Sequence, residues 1–302
     1  MNSETVEITV DITHFRVQII SDIHLELSTL HQPIGVAAEL LALCGDIGGP
    51  RQESYDKFLE WASKNYKLVF LVAGNHEYYH AHDTITELKE YIIEISSKYP
   101  NVIFLDNTGV TVKYNDKLVR VFGSTLWSDV SSGKLLVIGK GGMCGMNDYV
   151  KIKKKKFNKD HTYQRRPIDP DDMIAMHKLA VWHLREEIKI CEENNLRMVV
   201  LTHHLPSYQC IHPDYKVYPY AQLNCGYASN LDTLIAPPIV LWAHGHSHRC
   251  MDFKINDVRC VSNPMGYLGE DTKKYKQYFS VNIDSTDELT ETENESSEID
   301  NL

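Results

Sequence analysis

A chain of 302 residues with 43% apolar content can bury a sizeable core in one folded unit. The formal charge of −10 is concentrated at the end, where Asp284, Asp287, Glu288, Glu291, Glu293, Glu295, Glu298 and Asp300 are uncompensated, so the body stands near −2 and offers little for a polyanion. Seven cysteines without a CxxC pair exclude a disulfide framework and a thiolate zinc site, which points to a reducing compartment. The polar start MNSETVEITV has no basic segment followed by an apolar one, and no apolar run nears the roughly 20 residues of a membrane span. The expectation is a soluble, cytoplasmic protein with no membrane partner.

In chain order, FRVQII (15–20) and LLAL (40–43) read as strands, and Glu53–Asn65 as a helix with Tyr55, Phe58, Leu59 and Ala62 on one stripe. KLVFLV (67–72) is a strand, Asp83–Lys98 a helix, and VIFL (102–105) and KLVRVFG (117–123) are strands. Residues 128–169 show little apolar periodicity, a glycine cluster (GKGGMCG) and a basic run from Lys151 to Lys159, and read as a long excursion from the core that caps the site and sets substrate choice. Pro170 and two aspartates open the longest helix, Asp171–Asn194. RMVVLT (197–202), PIVLWA (238–243), DVRCVS (257–262) and YFSVNI (278–283) complete the strands, giving a domain over 1–283 and an acidic, disordered tail over 284–302. Strands alternating with helices predict an α/β sandwich of two sheets with helices outside.

Five strand-like runs hand over to polar residues at their carboxyl ends: SDIHLE, CGDIGG, AGNHEYY, THHLP and HGHSH. In open α/β sheets ligands bind at that edge, so one shared site is expected. Asp22 and His24 stand two apart, which on extended backbone sends both side chains one way, and His246 and His248 repeat the spacing. Carboxylate, imidazole and one amide oxygen without thiolate suit two divalent transition-metal ions, manganese, iron, zinc, cobalt or nickel. Asp46 is expected to bridge them, with Gly45 and Gly48 letting the backbone approach. Singly, a DxH or GD pair is a chance occurrence and a histidine cluster a satisfied core. Five blocks in order, each at a strand exit, are not explained that way.

These blocks resemble those of the calcineurin-like metallophosphoesterases, and GSTLWSD (123–129), MNDYVKI (146–152), NLDTLI (230–235) and SNPMGY (262–267) are similar to segments of a small phosphoesterase subgroup, in which an arginine often stands where this chain has Met265. The resemblance covers roughly residues 15–283 and implies a two-sheet αββα sandwich. It also implies Asp22, His24, Asp46 and His248 as ligands of one metal, and Asp46, Asn75, His203 and His246 as ligands of the second. His76 would stand beside the phosphate as a non-ligating catalytic histidine, with Asn75 next to it.

Two divalent ions less two carboxylates and a bridging hydroxide leave about one positive charge facing the opening, which suits an anionic phosphate ester. Two metals also bring a shared water toward neutral pKa, so attack by a metal-bridging hydroxide is expected. The expected activity is hydrolysis of a small-molecule phosphate ester, as a phosphodiesterase or broad phosphoesterase. A nuclease using the Lys151–Lys159 run with Arg165 and Arg166, or a non-catalytic scaffold, are the alternatives. Around the site, His80 and His82 read as helix-start residues, His204 as an outer neighbour of His203, His244 as packing that orients a ligand, and Tyr78 and Tyr79 as wall or packing.

Overall fold

Period-two alternation divides the strand side chains between separate cores. In Leu40–Cys44, Leu40, Ala42 and Cys44 enter the layer between two sheets while Leu41 and Leu43 face outward, and Leu68–Val72 repeats this with Leu68, Phe70 and Val72 against Val69 and Leu71. On the facing sheet, Val199 and Leu201 point in and Met198 and Val200 point out. Strands buried on both faces need apolar residues at every position, which is why the sequence shows runs rather than alternation. The computed structural model describes residues 6–27, 33–139, 145–158, 162–270 and 275–284.

One sheet has five strands in the order Ser280–Asn282, Arg16–Ile20, Leu40–Cys44, Leu68–Val72, Val102–Phe104, and the last four run parallel. The other has seven: Glu7–Thr9, Thr108–Tyr114, Lys117–Ser124, Arg197–Thr202, Ile239–Ala243, Val258–Ser262, Met251–Ile255. Helices Glu53–Asn65 and Ile85–Ser96 pack on the five-stranded sheet, and Ala180, Leu184 and Cys191 of Pro170–Glu193 pack on the seven-stranded one. The architecture is the expected αββα sandwich. The long helix starts where its sequence places it, because Asp169 and Asp172 cap each other's backbone amides at 3.0 Å.

Five strands escaped the sequence reading: Glu7–Thr9, Thr108–Tyr114, Met251–Ile255, and the hairpin Lys153–Phe157 with Tyr163–Pro167. In Thr108–Tyr114 the pattern is weakened by Gly109, where a Cβ would fall 2.6 Å from Glu187 Oε2 and 2.7 Å from Arg120 Nε. The hairpin is recruited by charge. Lys155 and Arg165 reach Glu87 at 3.2 and 3.6 Å, and Lys154 and Arg166 reach Asp172, each at 2.6 Å. The excursion 128–169 also returns to the core, since Val130, Val137, Tyr149, Ile152 and Ile168 are buried in the cluster beneath the helices Glu53–Asn65 and Ile85–Ser96. Most of its glycine cluster, 140–144, lies outside the described residues.

Asp284 corrects the expected tail boundary. Its carboxylate accepts from Phe15 N and Tyr114 OH, each at 2.8 Å, and pairs with Lys117 at 3.1 Å and Arg197 at 3.7 Å, while 285–302 lie outside the described residues. Burial opposes its charge, but these partners hold its carboxyl below the ordinary value. Asp284→Ala leaves a buried amide and hydroxyl unpartnered, at a cost of about 1–3 kcal/mol. The expected result is a melting temperature a few degrees lower at pH 7. A depressed carboxyl stabilises above its unfolded value and loses that effect as pH falls through the folded one, so the gap between variant and wild type should narrow as pH falls below about 4. Equal melting curves at pH 7 would refute the anchor.

Candidate metal centre

Strands ending at Ile20, Cys44, Val72, Thr202 and Ala243 deliver Asp22 and His24, Asp46, Asn75 and His76, His203, and His246 and His248 to one edge shared by both sheets. The delivery is not by extended backbone, as the sequence spacing suggested. Asp22, His24, Asp46, His246 and His248 all have positive φ, at 53°, 54°, 53°, 71° and 49°, so each pair converges through left-handed turns. Such residues cost about 1–3 kcal/mol each and persist only where surrounding bonds fix them. Here Asp22 N donates to Gly45 O, His24 N to Asp46 O, and His246 N to the Asp22 carboxylate, all at 2.9–3.1 Å. The buried Glu77, in the GNHE block, accepts from the amides of Asp46, Ile47 and Gly74 at 2.7–2.9 Å and ties two turns together. Burial and the neighbouring Asp46 raise its carboxyl to about 8.

Close approach dictates glycine at Gly74, where a Cβ would sit 2.1 Å from Asp46 Oδ1, and at Gly245, where it would sit 2.6 Å from Asp22 Oδ2. Gly48 serves packing instead, since a Cβ there would meet Leu25 Cβ at 2.9 Å.

The donor atoms fall into three overlapping groups, Asp22, His24 and His248; His24, Asp46 and His76; and Asp46, His203 and His246, with atoms in each group within 4.8 Å of one another. Asp46 belongs to two of them. Imidazole orientation tests whether cations fit. His24 Nδ1 and His248 Nδ1 face the carboxylates of Glu26 (3.0 Å) and Glu270 (2.6 Å), and His203 Nδ1 faces Cys44 O (2.9 Å); these acceptors require a proton on Nδ1. The neutral rings then present Nε2 lone pairs inward, yet His24 Nε2 and His248 Nε2 lie 3.0 Å apart, and His203 Nε2 lies 2.9 Å from Asn75 Oδ1 and 3.1 Å from His246 Nδ1. Acceptors this close need positive charge between them. Without an ion, protons supply it. Burial opposes charge on His203 and His248, but Asp46 and Asp22 hold the first protonated up to about 9, and Asp22 and Glu270 hold the second up to about 10. Divalent ions fit by displacing those protons.

His76 stands at the edge of this cluster. Its amide donates to Asp46 Oδ1 at 2.8 Å, its Nδ1 to Glu26 Oε1 at 2.8 Å, and its Nε2 lies 3.2 Å from Tyr267 OH. Burial disfavours its charged form, but Asp46 and Glu26 overcome this and raise it above the ordinary histidine value. Glu26 thus orients both His24 and His76, and bonds from these two histidines outweigh burial to hold its carboxyl at about 2. It sits in the SDIHLE block, but its role needs a fold in which residues 50 positions apart meet. Tyr79 stacks on His76 at 4.3 Å between ring centroids, while Tyr78 packs against Trp127. Asp148, from the excursion, accepts from Asn75 Nδ2 and Tyr79 OH at 2.9 Å, and burial raises its carboxyl.

Burial disfavours the charged form of the two histidines behind the cluster, His204 and His244. Burial and the neighbouring His203 lower His204 to about 3; its ring lies 4.2 Å from that of His246 and its Nδ1 faces Thr125 O, so it backs a cluster member from outside. Burial lowers His244 to about 4, and its Nδ1 faces only Gly245 O. His80 sits in the turn before Ile85–Ser96, its Nδ1 taking the amides of His82 and Asp83. Met265 is buried in the apolar core rather than at the opening.

A cavity of about 450 Å³ opens over Asp46, Asn75, His76, His246 and His248. Tyr215, Tyr220 and Tyr227 from one loop, Met146, Asn147 and Asp148 from the excursion, and Tyr79, Tyr267 and Glu270 are among the residues of its walls. Among the described residues lining it, none is lysine or arginine. Lys151 and Arg249 instead lie over the rings of Tyr79 and Tyr215.

Residues 15–250 match the family of calcineurin-like phosphoesterases. An uncharacterised protein of Acanthamoeba polyphaga mimivirus is 30% identical over 252 residues, covering 81% of this chain and 84% of its own. The phosphopantetheinyl hydrolase of Mycobacterium tuberculosis has a similar solved structure, with a TM-score of 0.60 at 14% identity over 83% of this chain and 89% of that one, a likeness of fold alone. The family match runs through every residue of the cluster from Asp22 to His248, so the chain belongs to the calcineurin-like phosphoesterases and is a metal-dependent phosphoester hydrolase.

Proposed function

We propose that Asp22, His24, Asp46 and His248 hold one divalent ion and Asp46, Asn75, His203 and His246 a second, in the service of hydrolysing a small-molecule phosphate ester, with a diester favoured. The observation that carries this is the convergence of acceptors, His24 Nε2 on His248 Nε2 at 3.0 Å and His203 Nε2 on Asn75 Oδ1 at 2.9 Å, with Asp46 common to both sides. When bound, two ions activate a water near neutral pH and neutralise phosphate oxygens. Manganese, iron, zinc, cobalt and nickel all suit this oxygen and nitrogen set.

The lining supports a small, lightly charged substrate. With Asp148 and Glu270 on the walls, the ions would supply the positive charge, so one negative charge per phosphorus is easier to hold than several. The basic hairpin gives less support to a nuclease, because Lys154, Lys155, Arg165 and Arg166 are tied to Glu87 and Asp172. A scaffold role is disfavoured by the retention of every donor in the cluster. None of the six described cysteines is in a disulfide, which supports the cytoplasmic reading.

His76 is assigned the proton for the departing oxygen. Glu26 holds its Nδ1, and the ring faces the cavity beside Tyr267. A general acid contributes about 10²–10⁴-fold, and more for a basic leaving group. His76→Ala is therefore expected to keep both metals, lose modest activity on nitrophenyl esters and lose far more on alkyl or nucleoside esters. Parallel plots of kcat/KM against leaving-group pKa for variant and wild type would reject that role.

A screen of metal-loaded protein against phosphomonoesters, diesters, cyclic nucleotides and oligonucleotides tests the substrate class; oligonucleotides turned over faster than small diesters would favour the nuclease. Asp46→Asn is expected to disturb both ions. Elemental analysis finding at most one manganese or zinc per fully active wild-type chain would overturn the dinuclear assignment.

A further inference from the structure

We infer that Asp148, from the excursion 128–169, is a positioning residue that sets the orientation of the Asn75 amide and thereby the strength of the second metal site. The inference rests on the proposed ligand set. An asparagine side chain is nearly symmetric in shape, and its two ends differ only in hydrogen-bond sense. With Oδ1 turned toward the cluster, Asn75 offers lone pairs to a cation; rotated half a turn, it offers N–H groups that repel one.

The surroundings break that symmetry. Asp148 is 1% exposed, and its Oδ1 lies 2.9 Å from Asn75 Nδ2 and 2.9 Å from Tyr79 OH. A carboxylate only accepts, so it pulls the amide nitrogen outward and leaves Asn75 Oδ1 facing His203 Nε2 at 2.9 Å. Tyr79 closes the triangle: its hydroxyl donates to Asp148, accepts from Asn75 Nδ2 at 3.1 Å, and its ring lies on His76. One carboxylate therefore fixes the only amide among the proposed ligands and the ring that steadies His76. Met146 and Asn147, immediately before it, line the cavity, so the segment that shapes the opening also sets this ligand.

A carboxylate that only packed the excursion in place would affect stability without discriminating between the two ions. Positioning partners of metal ligands typically govern metal affinity by about 10–100-fold. The test is calorimetric titration of metal-free protein with Mn²⁺, alongside melting curves of the metal-free forms. Wild type is expected to take two ions per chain. Asp148→Ala is expected to bind the first with affinity within about twofold of wild type and the second 10–100-fold more weakly, in line with those partners. Asp148→Asn, which keeps the size and folds if Asp148→Ala does not, is expected to weaken the second ion too, because an amide partner no longer dictates which end of Asn75 turns inward. In an Asn75→Ala background, Asp148→Asn should have no further effect on the second ion.

Two ions bound by both Asp148 variants as tightly as by wild type would overturn the inference while leaving the dinuclear reading intact. So would equal weakening of both ions, or an Asp148→Asn effect that persists without the Asn75 amide. A wild-type protein that takes only one ion would instead defeat the dinuclear reading on which the inference stands.

Discussion

The structure is organised around one electrostatic constraint. Carboxylates, imidazole nitrogens and an amide oxygen are crowded into a buried cleft, the donors of each group within 4.8 Å of one another and some pairs at 2.9–3.0 Å, and such a set is unfavourable until positive charge enters it. Everything nearby resists the relaxation that would separate the donors. Five of them stand on left-handed backbone, and Glu77 ties the turns of Asp46 and Gly74 together through three amides. Gly74 and Gly245 permit an approach that any Cβ would block. The strain is local, and the two sheets absorb it because the strands that carry these turns are buried on both faces and cannot shift without opening a core.

Held rings are as important as held backbones. An imidazole aimed at an ion is steadied when its other nitrogen is held, and for three of the four proposed histidine ligands the fixing group comes from somewhere different: Glu26 for His24, the Cys44 carbonyl for His203, Glu270 for His248. Glu26 also holds His76, so one carboxylate couples the orientation of a proposed ligand to that of the proposed acid. Moving it would misplace both, which makes the two functions hard to separate by mutation at that position.

How much of this was legible in the sequence follows from distance along the chain. The αββα sandwich could be read because strands such as LLAL and KLVFLV, and the stripe of Glu53–Asn65, are local patterns that physics writes into adjacent residues. The cluster was legible for a related reason: each block directly follows a strand, and parallel strands end at a common edge. What stayed hidden depends on contacts between distant residues. Asp148 touches Asn75 across 73 positions, Glu26 touches His76 across 50, and the hairpin Lys153–Phe157 owes its place to Glu87 and Asp172 rather than to its own apolar content. The left-handed turns were hidden too, since Asp and His adopt them only when tertiary bonds compensate the cost. Asp284 was misread because composition alone placed it with the acidic residues that follow it, while its bonds to Phe15, Tyr114 and Lys117 are all long-range.

These two kinds of information divide the cleft. Its floor is built by strand ends, where sequence spacing and sheet geometry leave little freedom, and it carries the groups common to phosphoester chemistry. Its walls come from the excursion and from the loop bearing Tyr215, Tyr220 and Tyr227, which follow no periodic pattern and are fixed by individual contacts such as that of Asn224 with the Tyr215 carbonyl. A wall of aromatic rings, amides and two acids leaves charge neutralisation to the floor and presents mainly shape and flat apolar area to a ligand. The walls can therefore vary in sequence while the floor stays as it is, provided Asp148, which belongs to both, keeps its hold on Asn75.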